Sequence, residues 1–161
     1  MAATYTVSAG GQTLVNAVVT LLFIRPSATQ SLQILRCWVT QSATATAAMQ
    51  RIQIVTQVSA FGTFVTATPR AHDTWSTSQI VGGTAGAAGT VGVNASAEGG
   101  GTRTVRYEDA FQNTIGWFWR PVIEDEIWTL QANATLGFGL YFPVAAGTLT
   151  NWSFGISFRE T

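Results

Sequence analysis

The sequence contains no lysine and few charged residues of either sign. Its eight basic residues are all arginines, and eight acidic residues balance them to a formal net charge of zero. Charged residues make up 10% of the chain, against about 25% in a typical soluble domain. Nucleic-acid binding needs an excess of positive charge, and anionic membranes attract basic segments. We therefore expect neither nucleic acid nor a membrane surface to be a partner.

Cysteine is almost absent as well. Cys37 is the only one, which excludes an internal disulfide, and its apolar surroundings predict a small buried residue. The amino terminus lacks the basic and apolar regions of a secretory signal peptide. The longest apolar stretch, LVNAVVTLLFI, is too short for a membrane-spanning helix. We expect neither a cleaved leader nor a transmembrane helix.

The scarcity of charge also bears on self-association. A net charge near zero promotes association between copies of a protein. Lysine is depleted and arginine is enriched at protein–protein interfaces. The composition therefore predicts a chain whose surface is partly covered by other subunits. A genome that favours alanine, glycine and arginine explains the same composition equally well.

Helical periodicity is nearly absent, whereas short runs of β-branched and aromatic residues recur between Gly, Pro, Asn and Ser. The clearest run, WSFGISFR, places Trp152, Phe154, Ile156 and Phe158 on one face of a strand. We predict an all-β single domain over residues 1–161, an antiparallel β-sandwich that is jelly-roll-like, with about eight to ten strands. An immunoglobulin-like sandwich is the alternative, but the Cys…Trp…Cys spacing is missing. The predicted strands cover residues 4–7, 14–24, 32–41, 51–58, 63–66, 104–111, 116–119, 126–130, 136–142 and 152–159.

Two long segments between the predicted strands stand out. Residues 82–101, GGTAGAAGTVGVNASAEGGG, are small and nearly uncharged, and we predict a Gly/Ala-rich loop or arm there. Residues 69–80 form the second predicted loop. Thr90, Val91 and Val93 lie within the first segment, and we expect them to add a short strand to the sheet edge of another subunit.

Side chains suited to catalysis or metal binding are few, and we expect no catalytic residue, no metal and no cofactor. His72 is the only histidine, and its neighbour Asp73 could orient it as a general base, but no nucleophile motif accompanies the pair. Two acidic clusters, residues 108–109 and 124–126, would suit calcium if they met in space. They would also suit a hydrolase that used Glu108, Asp109, Glu124 or Asp125. A solvent-exposed turn explains the second cluster, residues 124–126, without calcium or a hydrolase.

Aromatic residues provide the strongest candidates for a binding surface. In GWFWRP, alternate rings of a strand must point to opposite faces. Trp117, Trp119 and Arg120 are therefore candidate interface anchors. Trp75, Trp117 and Trp119 are candidate platforms for stacking against a sugar. A sandwich that covers both faces of this strand would make the same aromatic residues purely structural.

Three long segments carry a family resemblance: LLFIRPSATQSLQILRCWVTQSATATAAMQRIQIVTQ, GGTAGAAGTVGVNASAEGGGTRTVRYEDAFQ and GFGLYFPVAAGTLTNWSFGISFRE. They resemble small, lysine-poor proteins of tailed bacteriophages and prophages, of the virion structural kind (capsid decoration, cement or head-associated proteins). The resemblance implies a non-enzymatic protein that self-associates as a trimer and binds the major capsid protein. It implies assembly in the host cytoplasm and a place on the capsid surface of the virion.

A second function stays open at this point. A carbohydrate-binding β-sandwich, a lectin-like adsorption module, would use exposed tryptophans as stacking platforms and bind host glycans. Paired exposed tryptophans with polar acceptors nearby would favour it, whereas a continuous apolar face would favour assembly. The hydrolase is the third alternative.

Overall fold

A computed structural model describes residues 3–43, 46–58, 61–82 and 87–161. Within these ranges the chain is built from strands, with one 3-10 turn at Glu124–Glu126. The part of the chain described contains no helix long and apolar enough to cross a membrane. The strands are β1 (Thr4–Gln12), β2 (Val19–Ile24), β3 (Leu32–Gln41), β4 (Met49–Val58), β5 (Thr63–Thr66), β6 (Arg70–Ala71), β7 (Val81–Gly82), β8 (Thr90–Ala97), β9 (Thr102–Gln112), β10 (Trp117–Trp119), β11 (Trp128–Leu130), β12 (Leu136–Phe142) and β13 (Trp152–Glu160).

The strands form two sheets that pack face to face. The first sheet has the order β10-β3-β13-β1-β6, and β11 pairs with β3 on the same side as β10. The second sheet has the order β5-β8-β2-β12-β4-β9, and β7 runs parallel to β8. The other pairings are antiparallel. The predicted antiparallel β-sandwich is confirmed.

The pairing of the strands gives the sandwich its jelly-roll character. The chain doubles back on itself, so that β4 pairs with β9, β3 with β10 and β11, β2 with β12, and β1 with β13. Successive pairs of this folded ribbon alternate between the two sheets. A ribbon rolled up in this way is the arrangement of jelly-roll proteins. Strands β5 to β8 are an insertion. Three of them, β5, β7 and β8, extend the second sheet beside β2, whereas β6 pairs with β1 at the edge of the first sheet.

Alternating apolar residues fill the space between the sheets. Trp152, Phe154, Ile156 and Phe158 of β13 are buried there together, as the alternation in the sequence predicts. Cys37 lies in the same core, where burial raises the pKa of its thiol well above the usual range. Burying a large apolar side chain is worth about 1.5–3 kcal/mol, so this strand contributes strongly to the stability of the fold.

The inserted segment builds a smaller apolar cluster on the outer face of the second sheet. The ring of Phe23 lies 4.3 Å from the ring of Phe61 and 6.0 Å from that of Phe64, measured between centroids. The Phe23 ring lies over β12 at Gly137. This glycine leaves room for the ring, because a Cβ at position 137 would overlap it. Strand β2 is consequently buried along its whole length.

Residues 82–101 are not one loop. Thr90–Ala97 form strand β8, which lies between β2 on one side and β5 and β7 on the other. Thr90, Val91 and Val93 are buried. Both edges of the strand already have partners, so these residues are not available to extend the sheet of another subunit, and that expectation is wrong. The small residues serve close packing instead, since a Cβ on Gly92 would overlap Phe64 of β5.

Among the predicted strands, two boundaries differ by five residues from the structure and the others by at most two. Residues 14–24 were expected to form one strand, but β2 begins only at Val19. Leu14 belongs to the preceding connection, where its N–H donates to Leu149 O at 2.8 Å and its side chain is buried. Strand β1 extends to Gln12, beyond the predicted end at residue 7. An apolar run alone did not distinguish a buried connection from a strand.

Glu98, the only charged residue of the 82–101 segment, ties the end of this segment to the second sheet. Its carboxylate accepts hydrogen bonds from the Thr20 N–H at 2.5 Å and the Thr20 hydroxyl at 2.7 Å. It also forms a half-buried ion pair with Arg103. The Arg103 guanidinium donates to Gln57 Oε1 at 3.0 Å and lies 4.4 Å from the centre of the Tyr141 ring. Burial raises the pKa of the Tyr141 hydroxyl, although the charge of Arg103 partly opposes this.

Replacing Glu98 by glutamine removes the negative charge while keeping the size of the side chain. We expect Glu98→Gln to lower the free energy of unfolding by about 1.5–3 kcal/mol, the usual contribution of hydrogen bonds to a charged group. Urea denaturation followed by tryptophan fluorescence measures the change. Glu124→Gln, in the exposed 3-10 turn, is the matched control and should stay within about 0.5 kcal/mol of the parent. Equal stability of both variants would contradict a structural role for Glu98.

A methyl group at Gly137 tests the outer cluster. We expect Gly137→Ala to destabilise the protein by about 1–3 kcal/mol, because the Phe23 ring must move away from β12. Gly100→Ala is the control, since a Cβ there meets no atom within 4 Å. The same denaturation experiment compares the two variants. A neutral Gly137→Ala would mean that the ring of Phe23 is free to shift.

Candidate functional site

An open groove of about 600 Å³ lies at one edge of the sandwich. There β9, the terminal strand of the second sheet, comes close to β10 and β11 at the edge of the first sheet. We call it the edge groove. Its lining residues are Tyr107, Phe118, Trp119, Arg120, Val122, Glu126 and Trp128.

A pair of stacked tryptophans forms one wall of the edge groove. The rings of Trp119 and Trp128 are 4.6 Å apart between centroids and inclined by only 17°. Their stacking follows from the sheet, because β10 and β11 both pair with β3, placing Trp119 opposite Cys37 and Trp128 opposite Ile34. Trp128 also contacts the ring of Phe138, 5.7 Å away. Each aromatic pair adds about 0.5–1.5 kcal/mol beyond simple burial, so these contacts stabilise the wall.

Asp109 holds Tyr107, one of the lining residues of the groove, next to Trp117. Its Oδ2 accepts hydrogen bonds from the Trp117 indole N–H and from the Tyr107 hydroxyl, both at 3.2 Å. The Tyr107 and Trp117 rings are 6.4 Å apart. Partial burial and the nearby charge of Asp109 raise the pKa of the Tyr107 hydroxyl. Tyr107 therefore stays protonated at neutral pH and acts as a hydrogen-bond donor.

The rim of the edge groove is apolar and exposed. The side chain of Phe118 is 58% exposed and that of Val122 is 86% exposed. Two charges of opposite sign lie beside them, Arg120 and Glu126. Glu126 also accepts a hydrogen bond from the Val122 N–H at 2.8 Å, which holds the segment leading to β11.

Strand β9 borders the groove with an unused edge. In the described part of the chain it pairs with β4 alone, as the terminal strand of its sheet. Nine consecutive residues of β9, from Thr102 to Ala110, are exposed or half-buried. A long exposed edge strand presents N–H and C=O groups that can pair with another chain.

The predicted aromatic residues differ in burial and in location. Trp119 and Arg120 line the edge groove, as a binding surface requires. Trp117 is only 6% exposed and points into the sandwich, so it is neither an interface anchor nor a platform for a sugar. Alternation along β10 turns Phe118 outward instead. If Trp117 is assigned to the inner face of β10, strict alternation identifies Phe118 as the outward residue. Nothing in the sequence indicated that Tyr107 of β9 would lie in the same groove.

Trp75 lies outside the edge groove, in the turn that follows β6. Its side chain is 82% exposed. The turn is fixed by Asp73, whose Oδ1 accepts hydrogen bonds from the N–H of Trp75 at 3.1 Å and of Ser76 at 2.6 Å. The Ser76 hydroxyl also donates to Asp73 Oδ2 at 2.6 Å. This side-chain bond contributes most, and the backbone bonds contribute further, to holding the pKa of Asp73 below its usual range. The indole is thus held out from a well-defined turn.

His72 and Asp73 do not act as a pair. The ring nitrogen Nε2 of His72 is hydrogen-bonded to the Thr6 hydroxyl at 2.7 Å. The Asp73 carboxylate is engaged by Ser76 and by the turn. Each side chain therefore has a structural partner, and the arrangement of a carboxylate that orients a general base is not formed.

The acidic residues of β9 point in opposite directions. Glu108 bonds to Arg51 and Gln53 on the outer face of the second sheet, whereas Asp109 contacts Trp117 between the sheets. The two carboxylates of the 108–109 cluster therefore do not converge on one site. Among the described residues there is no group of three or more His, Cys, Asp or Glu side chains that could hold a metal ion.

Arg51 controls the ionisation of Glu108. The hydrogen bond from Arg51, with a smaller contribution from Gln53, lowers the pKa of the Glu108 carboxyl. We expect Arg51→Met to raise that pKa back toward its usual value, because the stabilised charged form loses its main partner. NMR titration of the side-chain carboxyl carbons measures the change. Arg120→Met should leave the pKa of Glu108 unaltered, and a similar shift in both variants would rule out a local effect.

Comparison of the chain with family models, with curated proteins and with solved structures finds no match.

Proposed function

We propose that the protein is a non-enzymatic virion structural protein that self-associates through the edge groove and decorates or cements a phage capsid. The observation that carries the proposal is the exposed apolar rim, Phe118 and Val122, beside the unused edge of β9. Contiguous apolar surface of this kind on a soluble domain marks an interaction site.

The charges of the molecule favour a second copy of the chain as the occupant of the groove. The formal net charge is zero, so copies do not repel one another. The edge groove contains one cation, Arg120, and one carboxylate, Glu126, so Arg120 of one copy can pair with Glu126 of the next copy around a closed ring. Aromatic residues and arginine are also the residues enriched at the centres of protein interfaces.

The virion setting rests on the resemblance of three sequence segments to phage structural proteins, and the jelly roll is in keeping with it, since this fold is common among capsid proteins. A trimer is the expected oligomer, because capsid lattices offer local three-fold positions. The major capsid protein is then the partner, and the protein lies on the outer surface of the virion after assembly in the host cytoplasm.

Carbohydrate binding is the second candidate function. The exposure of Trp75 supports it, whereas the burial of Trp117 removes one of the three expected platforms. Trp119 presents one face to Trp128, which limits it to a single-sided platform. Sugar binding at Trp75, which lies outside the edge groove, is compatible with self-association in one protein.

Light scattering at micromolar and at tenfold lower concentration tests the self-association. We expect a closed oligomer for the parent protein and a shift to monomer for the double variant Phe118→Asp/Val122→Asp, because desolvating two new carboxylates opposes burial of the rim. Both positions are exposed, so the fold should be retained, which circular dichroism checks.

The matched control is Val65→Asp, an exposed valine on β5 at the opposite edge of the second sheet. It introduces the same change outside the groove and should leave the oligomer intact. A parent protein that is monomeric at both concentrations would refute the proposal, and dissociation by Val65→Asp alone would move the interface to the β5 edge.

A further inference from the structure

A second pocket opens between the two sheets, next to the edge groove. Its volume is about 270 Å³, and it is formed by β4, β9 and β12 of the second sheet and by the start and body of β11 in the first. We call it the inter-sheet pocket. Its lining is mainly apolar and consists of Ile127, Trp128, Leu130, Leu136 and Phe138, with two threonines and one arginine, Arg106.

The apolar walls of the inter-sheet pocket are partly accessible. Leu130 and Phe138 are buried, whereas Ile127, Trp128 and Leu136 are half-buried. Each half-buried side chain keeps apolar surface in contact with water, and removing such surface from water is favourable by about 25 cal/mol for each Å². The walls therefore fit the apolar body of a ligand. Ligand sites in proteins combine walls of this kind with a few polar groups that fix the orientation of the ligand.

Arg106 is such a polar group, and a β-bulge directs it toward the pocket. The pairing of β9 with β4 passes from Tyr107 to Val105 without a partner for Arg106. A bulge of this kind changes the direction of a side chain. Here the Nε of Arg106 donates a hydrogen bond to Thr56 Oγ1 at 2.9 Å. Because Thr56 shares the inner face of β4 with the core residue Ile54, the guanidinium is held at the inter-sheet pocket.

The charge of Arg106 has no carboxylate partner within the described ranges. Both ion pairs found there use other arginines, Arg51 and Arg103. The bond to Thr56 occupies Nε, and neither terminal nitrogen of Arg106 has a hydrogen-bond partner among the described residues. Arg106 is an exposed residue, so a ligand can reach these N–H groups. Two parallel N–H groups of a guanidinium match the two oxygens of a carboxylate.

The polar groups of the inter-sheet pocket select the head group of the ligand. Arginine can only donate hydrogen bonds, and the Thr56 hydroxyl, which accepts from Arg106, still has its own O–H to donate. A ligand at this point must therefore accept hydrogen bonds. A phosphate dianion would bring two negative charges against one arginine, and a charge left uncompensated in an apolar pocket is costly. A single negative charge on a planar group is the matching head.

We propose that the inter-sheet pocket binds a small monocarboxylate with an apolar body. The two carboxylate oxygens accept hydrogen bonds from the terminal nitrogens of Arg106, and the apolar body packs against Trp128 and Leu136. The volume of about 270 Å³ lies just below that of sites for drug-sized molecules, roughly 300–1,000 Å³. The pocket is therefore suited to a short aliphatic acid or to an acid that carries one aromatic ring.

A nitrogen-resolved NMR titration of the complete protein tests the proposal. The probes are hexanoate and phenylacetate, and the resonances followed are the Trp128 indole N–H and the Arg106 Nε–H. We expect saturable shifts of both resonances at millimolar concentration of at least one probe. Absence of a saturable shift with both probes would overturn the proposal.

Three further probes separate the head group from the apolar body. Hexanamide and phenylacetamide keep the shape of the acids without the charge, and we expect them to bind at least about tenfold more weakly, since hydrogen bonds to charged groups are the stronger ones. Acetate keeps the charge without the apolar body, and it should bind at least about tenfold more weakly than hexanoate. Equal binding of the amides, or of acetate, would contradict the proposed chemistry of the site.

Two variants of Arg106 connect the binding to the pocket. Arg106→Met keeps an apolar stem without the donors, so it should weaken binding of the acid by at least about tenfold. Arg106→Lys keeps the charge without the planar pair of donors, and its affinity should lie between those of the parent and Arg106→Met. Arg106 is exposed, so the fold should be retained, which circular dichroism checks.

The matched control is Arg120→Met, which removes an exposed arginine of the neighbouring edge groove. It should leave the affinity for the acid unchanged. Unaltered binding in Arg106→Met, or loss in Arg120→Met alone, would place the acid outside the inter-sheet pocket and refute the assignment.

The double variant Phe118→Asp/Val122→Asp separates this proposal from self-association. The edge groove and the inter-sheet pocket have only Trp128 in common among their described lining residues. The double variant should therefore retain the saturable shifts with the acid, and so should a parent protein that proves to be monomeric. Loss of binding in the double variant would mean that a second copy completes the site, which contradicts a pocket formed by one chain.

Discussion

The antiparallel pairing of β4 with β9 is the constraint on which the rest of the structure depends. It runs from Met49 opposite Gln112 to Val58 opposite Thr102, with one irregularity next to Ile54. Once these strands are paired in register, the segments that flank them continue as a two-stranded antiparallel ribbon. Each further pair of strands in this ribbon belongs to the sheet opposite that of the pair before it. The same pairing leaves β9 as a terminal strand, because the doubled chain has no later strand to cover its other edge. The exposed border of the edge groove is thus a consequence of the topology.

Three strands of the inserted segment between β4 and β9, namely β5, β7 and β8, are accommodated at the far side of the same sheet. Lengthening the connection between two strands costs little chain entropy, about 0.6 kcal/mol for each doubling of its length. The inserted residues must nevertheless be fixed against the sheet by contacts of their own. Strand β8 pairs with β2, Glu98 bonds to Thr20 of that strand, and the ring of Phe23 is covered by Phe61 and Phe64. Small residues in this segment allow strands and rings to approach closely, and a single charge fixes its end.

Sequence patterns predicted the sandwich well because its strongest signal is local. In β13 the alternation of large apolar residues with small ones depends only on one buried face, and the structure reproduces it. Strand β8 was missed for the opposite reason. Its Gly92 is favourable because Phe64 of a distant segment packs against the backbone, and this contact is not visible along the chain. Trp117 was misassigned because a run of three aromatic residues does not itself say which face is inside. Residues of the edge groove come from β9, β10 and β11, so their meeting depends on the sheet order.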